Sequence, residues 1–320
     1  MLGLALAVGL AAVSIGRAQA EDIHSLAIHG YQAVTNVVFV DPSNPAFLQV
    51  RFGGEGGVSH IGKMRSSSID QQVNFATSEQ SGHLTLVDPR GDNLVLEFSS
   101  PSAIQPDGRI TFAGDMTVVS GTGRFQNARG RLHFDGWART TNPNTGEGIG
   151  FFTLNGILRG TSIRPDCLTL AIDRGVGTII DGQDFVYVGD GIAGMAGRFH
   201  DVAQSTAGPF HSAFVGIVEG RFVLSSAYNS VWTTPNGDTL KFSGVEFISF
   251  GLLTLPDGSV GPDLTKPSTA DTYLYVASGT GRFEDAEGVM FGKAAFNPTS
   301  PNTVAATLRS AGFLDLNNND

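Results

Sequence analysis

One stretch of this chain is written twice. "SGTGRFQNARG" runs from Ser120 to Gly130, and "SGTGRFEDAEG" runs from Ser278 to Gly288. Three more landmarks precede it in the same order in both halves. "GEGGVSHIGKM" from Gly54 pairs with "GDGIAGMAGRF" from Gly189, "GDNLVLEF" from Gly91 with "GDTLKFSG" from Gly237, and "PDGRI" from Pro106 with "PDGSV" from Pro256. The spacing between partners only grows along the chain, which is the mark of one domain duplicated, the second copy carrying loop insertions. Part of that growth is "GPDLTKPSTAD" from Gly261, which has no counterpart in the first half. The expected division is therefore residues 21–160 and 161–320, behind a leader at 1–20.

Each unit reads as strands. "RITFAGDMTVV" sets Ile110, Phe112, Met116 and Val118 on one face and Thr111, Asp115 and Thr117 on the other, the period of two of a strand with unlike faces. "RLHFDGWA" and "NLVLEFS" alternate in the same way, and "PRGDN", "QPDGR", "TPNGD" and "LPDGS" punctuate the runs as turns. No window offers a helical stripe longer than two turns. Many short strands at even spacing predict an all-β antiparallel barrel or sandwich in each unit. A closed barrel would also remove the edges through which Phe-rich strands aggregate.

The repeated motif itself invites comparison with a phosphate loop, but it reads better as a connection. Gly121 and Gly123 are free to take positive φ, Thr122 can close a side-chain turn, and Phe125 is placed to plug a barrel end. "GVSHIGKM" from Gly57 matches G-x4-G-K and then fails, because Met64 stands where Ser or Thr must ligate magnesium. "VVSGTGRFQNARGRLHF" resembles the GGTGRF and ARG segment of plant dirigent proteins and, more loosely, a hairpin of the allene oxide cyclases. "VASGTGRFEDAEGVMF" fits equally well. The resemblance implies two tandem antiparallel barrels of about eight strands each, of the allene oxide cyclase and dirigent type. Beyond the motif it rests on strand count and length. Barrels of this type often form trimers, so it also implies a homo-oligomer, although a tandem chain could satisfy the same surfaces internally.

The first residues read as an export signal. "LGLALAVGLAAVSIG" is an apolar run, and Ala18 and Ala20 supply the small-x-small pattern of signal peptidase, placing cleavage after Ala20. No later segment reaches the roughly 18 consecutive apolar residues of a membrane span, so a secreted or periplasmic protein without membrane insertion is expected. Cleavage removes Arg17 and no acid, making the net charge of −10 one unit more negative. A surface this acidic repels phosphate backbones and anionic membranes, so nucleic acid and lipid headgroups are not expected partners. Cys167 is the single cysteine, in "CLTLAI", so stability must come from apolar burial and sheet pairing rather than an internal disulfide.

Catalytic motifs are scarce. There is no G-x-S-x-G elbow, and none of the seven histidines forms H-x-H, H-x3-H or H-E-x-x-H, so neither a metal nor a cofactor is expected. "DLNNND" from Asp315 starts like a calcium loop but stops before the Gly and Glu such a loop needs, and "RGD" at Arg90 to Asp92 lies in a hairpin turn. The informative contrast is between the copies. After the motif the first copy places Arg131, His133, Asp135 and Trp137 on one face, where the second has Val289, Phe291, Lys293 and Ala295. Asp115 corresponds to Tyr273, Glu97 to Ser243, and His60 to Met195.

Turned inward, these side chains would make a polar pocket suited to acid and base work, with Asp115, His133 and Asp135 as catalytic candidates and Arg131, Trp137, Glu97 and His60 as ligand contacts. Turned outward, they are a solvated face with Leu132 and Phe134 as the core. Three functions follow. The first is a binding module for a small hydrophobic or aromatic molecule in a barrel mouth. The second, implied by the resemblance, is a cofactor-free cyclase or isomerase, or a dirigent-like stereo-directing protein, since orientation alone contributes up to roughly 7 to 11 kcal/mol. The third is a structural or adhesive surface protein.

Overall fold

The computed structural model describes residues 25–39, 47–142, 145–163, 167–180, 184–194 and 196–316. The expected leader, the side chain of Cys167 and residues 317–320 lie outside these. Eight strands make the first unit: β1 (Ser25–Phe39), β2 (Phe47–Val58), β3 (Gly62–Asn74), β4 (Glu79–Val87), β5 (Asn93–Ile104), β6 (Ile110–Gly121), β7 (Arg129–Asn142) and β8 (Glu147–Arg159). Each pairs antiparallel with the next, and β8 returns to β1, with Ser25 opposite Arg159 and Tyr31 opposite Thr153. The barrel is closed. Its interior is dense with aliphatic and aromatic side chains such as Ile28, Leu84, Leu96, Met116 and Leu154, all essentially buried.

The second unit closes the same way. Its strands are β9 (Cys167–Ile180), β10 (Asp184–Ala193), β11 (Gly197–Ser205), β12 (Ala213–Val218), β13 (Arg221–Thr233), β14 (Thr239–Thr254), β15 (Val260–Asp263), β16 (Ser268–Gly279), β17 (Glu287–Ser300) and β18 (Thr303–Asp315). The ring runs β9, β10, β11, β13, β14, β16, β17, β18 and back to β9, again eight antiparallel strands. The two remaining strands are fragments of broken ones. β11 and β12 both lie along one edge of β13, as the unbroken β3 lies along β4. β15 and β16 share an edge of β14, as β6 lies along β5, and the break between them falls in the stretch that lengthens the second copy.

The repeated motif is a structural turn. In each copy a single 3-10 turn, Gly123–Phe125 or Gly281–Phe283, joins the strands before and after it. Gly123 and Gly281 adopt φ of 53° and 59°, and a Cβ on Gly123 would collide with the Asp92 carboxylate, so glycine is required there. Gly121 differs from expectation: its backbone is ordinary, and it is glycine because a Cβ would meet the Phe125 carbonyl oxygen at 2.2 Å. Thr122 does not close its own turn either; its hydroxyl accepts the Asn93 N–H at 2.9 Å, tying the motif to the start of β5. Phe125 and Phe283 plug the barrel ends. Arg124 ion-pairs at 2.7 Å with the buried Asp88 and donates to the Ile61 carbonyl.

The barrels pack side by side through unlike faces. The first presents Tyr31, Ala33, Ile149 and Phe151 from β1 and β8; the second presents Val245, Tyr275, Val289 and, at the edge, Phe247, Tyr273 and Phe291 from β14, β16 and β17. Phe151 stands 4.6 Å from Phe247 and 4.7 Å from Tyr273, centroid to centroid, edge-on or tilted as aromatic quadrupoles prefer. The rim is polar. Lys63 pairs with Glu55 at 2.9 Å and lies over the Tyr275 ring, which rules it out as a phosphate-loop lysine.

Candidate functional site

The row on β7 faces outward. Leu132 and Phe134 point into the first barrel, so pleat parity sends Arg131, His133 and Asp135 to its outer surface. Asp115 stands beside them on β6, where its carboxylate accepts Arg131 Nη2 at 2.6 Å and His133 Nδ1 at 3.1 Å. These two donors hold the Asp115 carboxyl below its usual range, the histidine contributing most. Asp135 accepts the Thr153 hydroxyl at 2.6 Å and does not join them. Glu97 is exposed on β5, next to His83, which binds Asp70 at 2.6 Å. The cluster is thus a surface network, separated from the barrel interior by the sheet itself.

The other two candidates lie elsewhere. Trp137 packs edge-on to Phe247 at 5.8 Å at the inter-barrel contact and also reaches the rim of the first barrel's cavity. His60 sits in the turn between β2 and β3 with φ of 63°, its ring 4.5 Å from that of Phe313 in the second barrel. Burial pushes its pKa down. Asp92 of the RGD turn is engaged by the Arg124 N–H at 3.0 Å.

The first barrel offers little internal space. Its cavity, about 60 Å³, has walls of Val50, Phe52, Phe98, Phe112 and Phe152, and its few polar side chains run in a chain in which Gln71 donates to Gln80 and Gln80 to Ser100. That is room for a few water-sized groups and no more.

The second barrel is built differently. Small residues, among them Ala171, Ala203, Ala270, Ala294 and Ala306, occupy much of its interior, and three carboxyls stand among them: Asp173, Asp201 and Glu246, exposed by only 2%, 2% and 7%. Strand register matches them to Gln32, Ser66 and Ser100 of the first barrel, so the fold tolerates neutral groups at all three places. Asp201 accepts the Ser230 hydroxyl at 2.7 Å. Asp173 adjoins Asp201 and Tyr187, yet neither of its oxygens completes a well-formed hydrogen bond, nor do the hydroxyls of Tyr187, Tyr228 and Thr272. Gly189 makes room for this group: a Cβ there would meet the Tyr187 hydroxyl at 2.2 Å and Asp173 Oδ1 at 2.7 Å.

Two connected spaces result. An inner chamber of about 40 Å³ is lined by Tyr187, Asp201, Tyr228, Ser230, Glu246 and Thr272. Outside it, a vestibule of about 320 Å³ opens at the barrel mouth between Phe185, Ile248, Phe250, Phe296 and Leu264. Glu246, Ser226, Phe185 and Phe296 border both. Pro262, Leu264 and Ser268 bring the inserted stretch of the second copy to the rim.

Among the described residues no basic side chain lines either space, so none of them offsets the cost of burying the carboxylates. Burial pushes Glu246 up to about 7 and Asp201 up to about 8, the neighbouring Asp173 adding to the latter, and it raises Asp173 as well. At neutral pH the chamber therefore carries protons that ordinary carboxyls would have released. Among the described residues no group of three or more His, Cys, Asp or Glu is placed to hold a metal ion.

No protein-family model matches the chain, and no curated protein matches it.

Proposed function

We propose that this is an exported binding protein whose second barrel takes a small, largely apolar or aromatic molecule at its mouth, while the first barrel is a packed support. The observation that carries the reading is the vestibule: about 320 Å³, Phe-walled, narrowing onto Glu246 and Ser226. That is the size and lining of a small-molecule site, apolar walls with a few convergent polar groups. The test is thermal stabilisation of the mature chain across a library of small aromatic and branched apolar compounds. Stabilisation lost on Phe296→Ser supports the reading; a flat response across the library sinks it and leaves a structural or adhesive role.

The relationship to the dirigent and allene oxide cyclase barrels is part of this proposal, supported by the "SGTGRF" turn at the same place in two closed eight-stranded barrels. Export is supported by the apolar run and the small-x-small pattern of Ala18 and Ala20, and recovery of the secreted chain beginning at Glu21 tests it.

One observation favours a second reading, a cofactor-free isomerase or cyclase. Glu246 borders both spaces, and a carboxyl with a pKa of about 7 is suited to carry a proton to or from a confined molecule. On that reading Glu246→Gln abolishes turnover while ligand-induced stabilisation persists; turnover that survives the substitution removes Glu246 from the role.

A further inference from the structure

We propose that the molecule taken at the mouth of the second barrel carries a primary ammonium group, which enters the inner chamber and is held by Asp201 and Glu246 while its apolar tail fills the vestibule. The proposal rests on the reading of that mouth as a binding site and names the chemical class that fits it.

Three observations converge. First, the chamber gathers acids without positive charge. Asp201 and Glu246 line it, Asp173 stands behind Asp201, and among the described residues no Lys, Arg or His faces it. Carboxylates only accept hydrogen bonds, and an ammonium supplies three donors with the opposite charge. A ligand carboxylate would meet like charge there. Second, polar atoms more than nine-tenths buried complete no well-formed hydrogen bond around this space: the hydroxyls of Tyr187, Tyr228 and Thr272, and both oxygens of Asp173, which lies against Tyr187 and Asp201. Buried polar groups are nearly always paired; Gln32 and Ser66 of the first barrel are unpaired too, but the hydroxyls of Tyr187, Tyr228 and Thr272 line the second chamber itself, beside acids with no cation, which points to a missing polar partner. Third, the sizes divide the ligand. A chamber of about 40 Å³ admits a water-sized head and excludes an aromatic ring, which the vestibule of about 320 Å³ accommodates.

The first barrel is the internal control. At the positions of the three carboxyls it has Gln32, Ser66 and Ser100, and its cavity is walled by apolar side chains. The acids are therefore a property of the second copy rather than a demand of the barrel. Without ligand, burial keeps a proton on Asp201 at neutral pH. When the ammonium arrives, that proton leaves to solvent and the Asp201 carboxylate pairs with the cation, which donates a further hydrogen bond to Glu246.

The experiment is isothermal titration of the mature two-barrel chain at pH 7 with three probes sharing one ring: 2-phenylethylamine, 2-phenylethanol and phenylacetate. The amine is expected to bind about tenfold tighter than the alcohol, with phenylacetate weakest, as charge-assisted bonds require. Its binding heat should vary with the buffer's ionisation enthalpy, reporting the released proton. Asp201→Asn and Glu246→Gln are each expected to cut amine affinity about tenfold and to leave the alcohol within about twofold. Both replacements are near-isosteric and remove a buried titratable group, and circular dichroism checks that each variant is folded. An alcohol that binds as tightly as the amine, or folded variants that bind the amine unchanged, overturns the ammonium assignment while leaving the apolar site standing. Failure of all three probes to bind overturns the mouth as a site and this proposal with it.

Discussion

A buried carboxyl without a cation beside it costs stability, and the second barrel contains three. For Asp201 the sign is definite. Its folded pKa is raised to about 8, so between the unfolded value near 4 and that point the native state holds a proton that the unfolded chain has released. The stabilising contribution is complete below about pH 4 and is lost as pH rises through about 8, with Glu246 adding a similar loss ending near 7. Asp201→Asn keeps an acceptor for the Ser230 hydroxyl and removes the titration. The variant should melt roughly 4 to 8 °C above the wild type at pH 8.5 and close to it at pH 4.5. Scanning calorimetry at the two pH values checks this, and equal shifts at both would show that Asp201 is not buried as a neutral acid. The signal was in the sequence: Asp201 shares the pleat parity of Phe199 and Ala203, an acid on the apolar side of its strand. On β7 the contrast between copies is larger, but alternation alone does not tell inside from outside, so it does not reveal that Arg131, His133 and Asp135 lie on the surface.

At the level of elements, the duplicated turn was legible because its determinants are local: glycine where φ is positive, a large apolar side chain to seal the barrel, a strand beginning on either side. Phe125→Ala or Phe283→Ala empties a fully buried site and should cost about 3 to 5 kcal/mol. A loss under about 1 kcal/mol in urea titration, below even the roughly 1.5 to 3 kcal/mol of transfer from water, would show that the ring is not a buried plug. The two arginines of the motif should not behave alike. Arg124 pairs at 2.7 Å with an Asp88 that is fully buried, whereas the Arg282 side chain is 44% exposed and stands 3.6 Å from Asp238. Removing the first leaves a buried charge uncompensated, so Arg124→Ala should cost about 3 to 5 kcal/mol, and Arg282→Ala about 1. Equal losses in the same titration would show that both act through packing on their neighbouring Phe rings. Broken strands were less legible. A growing offset reveals that residues were inserted, but only the shared edges of β13 and β14 show that the insertions split the third and sixth strands and bring Leu264 to the barrel mouth.

On the scale of the whole molecule, the disagreement between the copies around the repeated motif has a packing cause. Tyr273, Val289 and Phe291 of the second barrel meet the first across the interface, and their counterparts Asp115, Arg131 and His133 face solvent on the outer side of the first barrel. The same strands are apolar where a neighbour covers them and charged where none does. No periodicity within a strand encodes this, because both versions alternate correctly; it depends on which outer face meets the other barrel. It follows that the first barrel's surface can be transplanted. Tyr273→Asp with Phe291→His gives the second barrel the side chains of the first at two interface positions, without touching either interior. Each barrel should keep its β-sheet circular dichroism, since Leu274 and Met290, the inward neighbours, are unchanged. Coupling between the barrels should fall, because a polar Asp–His pair would have to be desolvated against Tyr31 and Phe151. Calorimetry of the wild type is expected to show one transition, and the double variant two, with a larger radius of gyration in small-angle scattering. A variant that still melts in a single transition, at the wild-type dimensions, would show that the aromatic contact does not hold the barrels together and that the polar rim around Lys63 and Glu55 does.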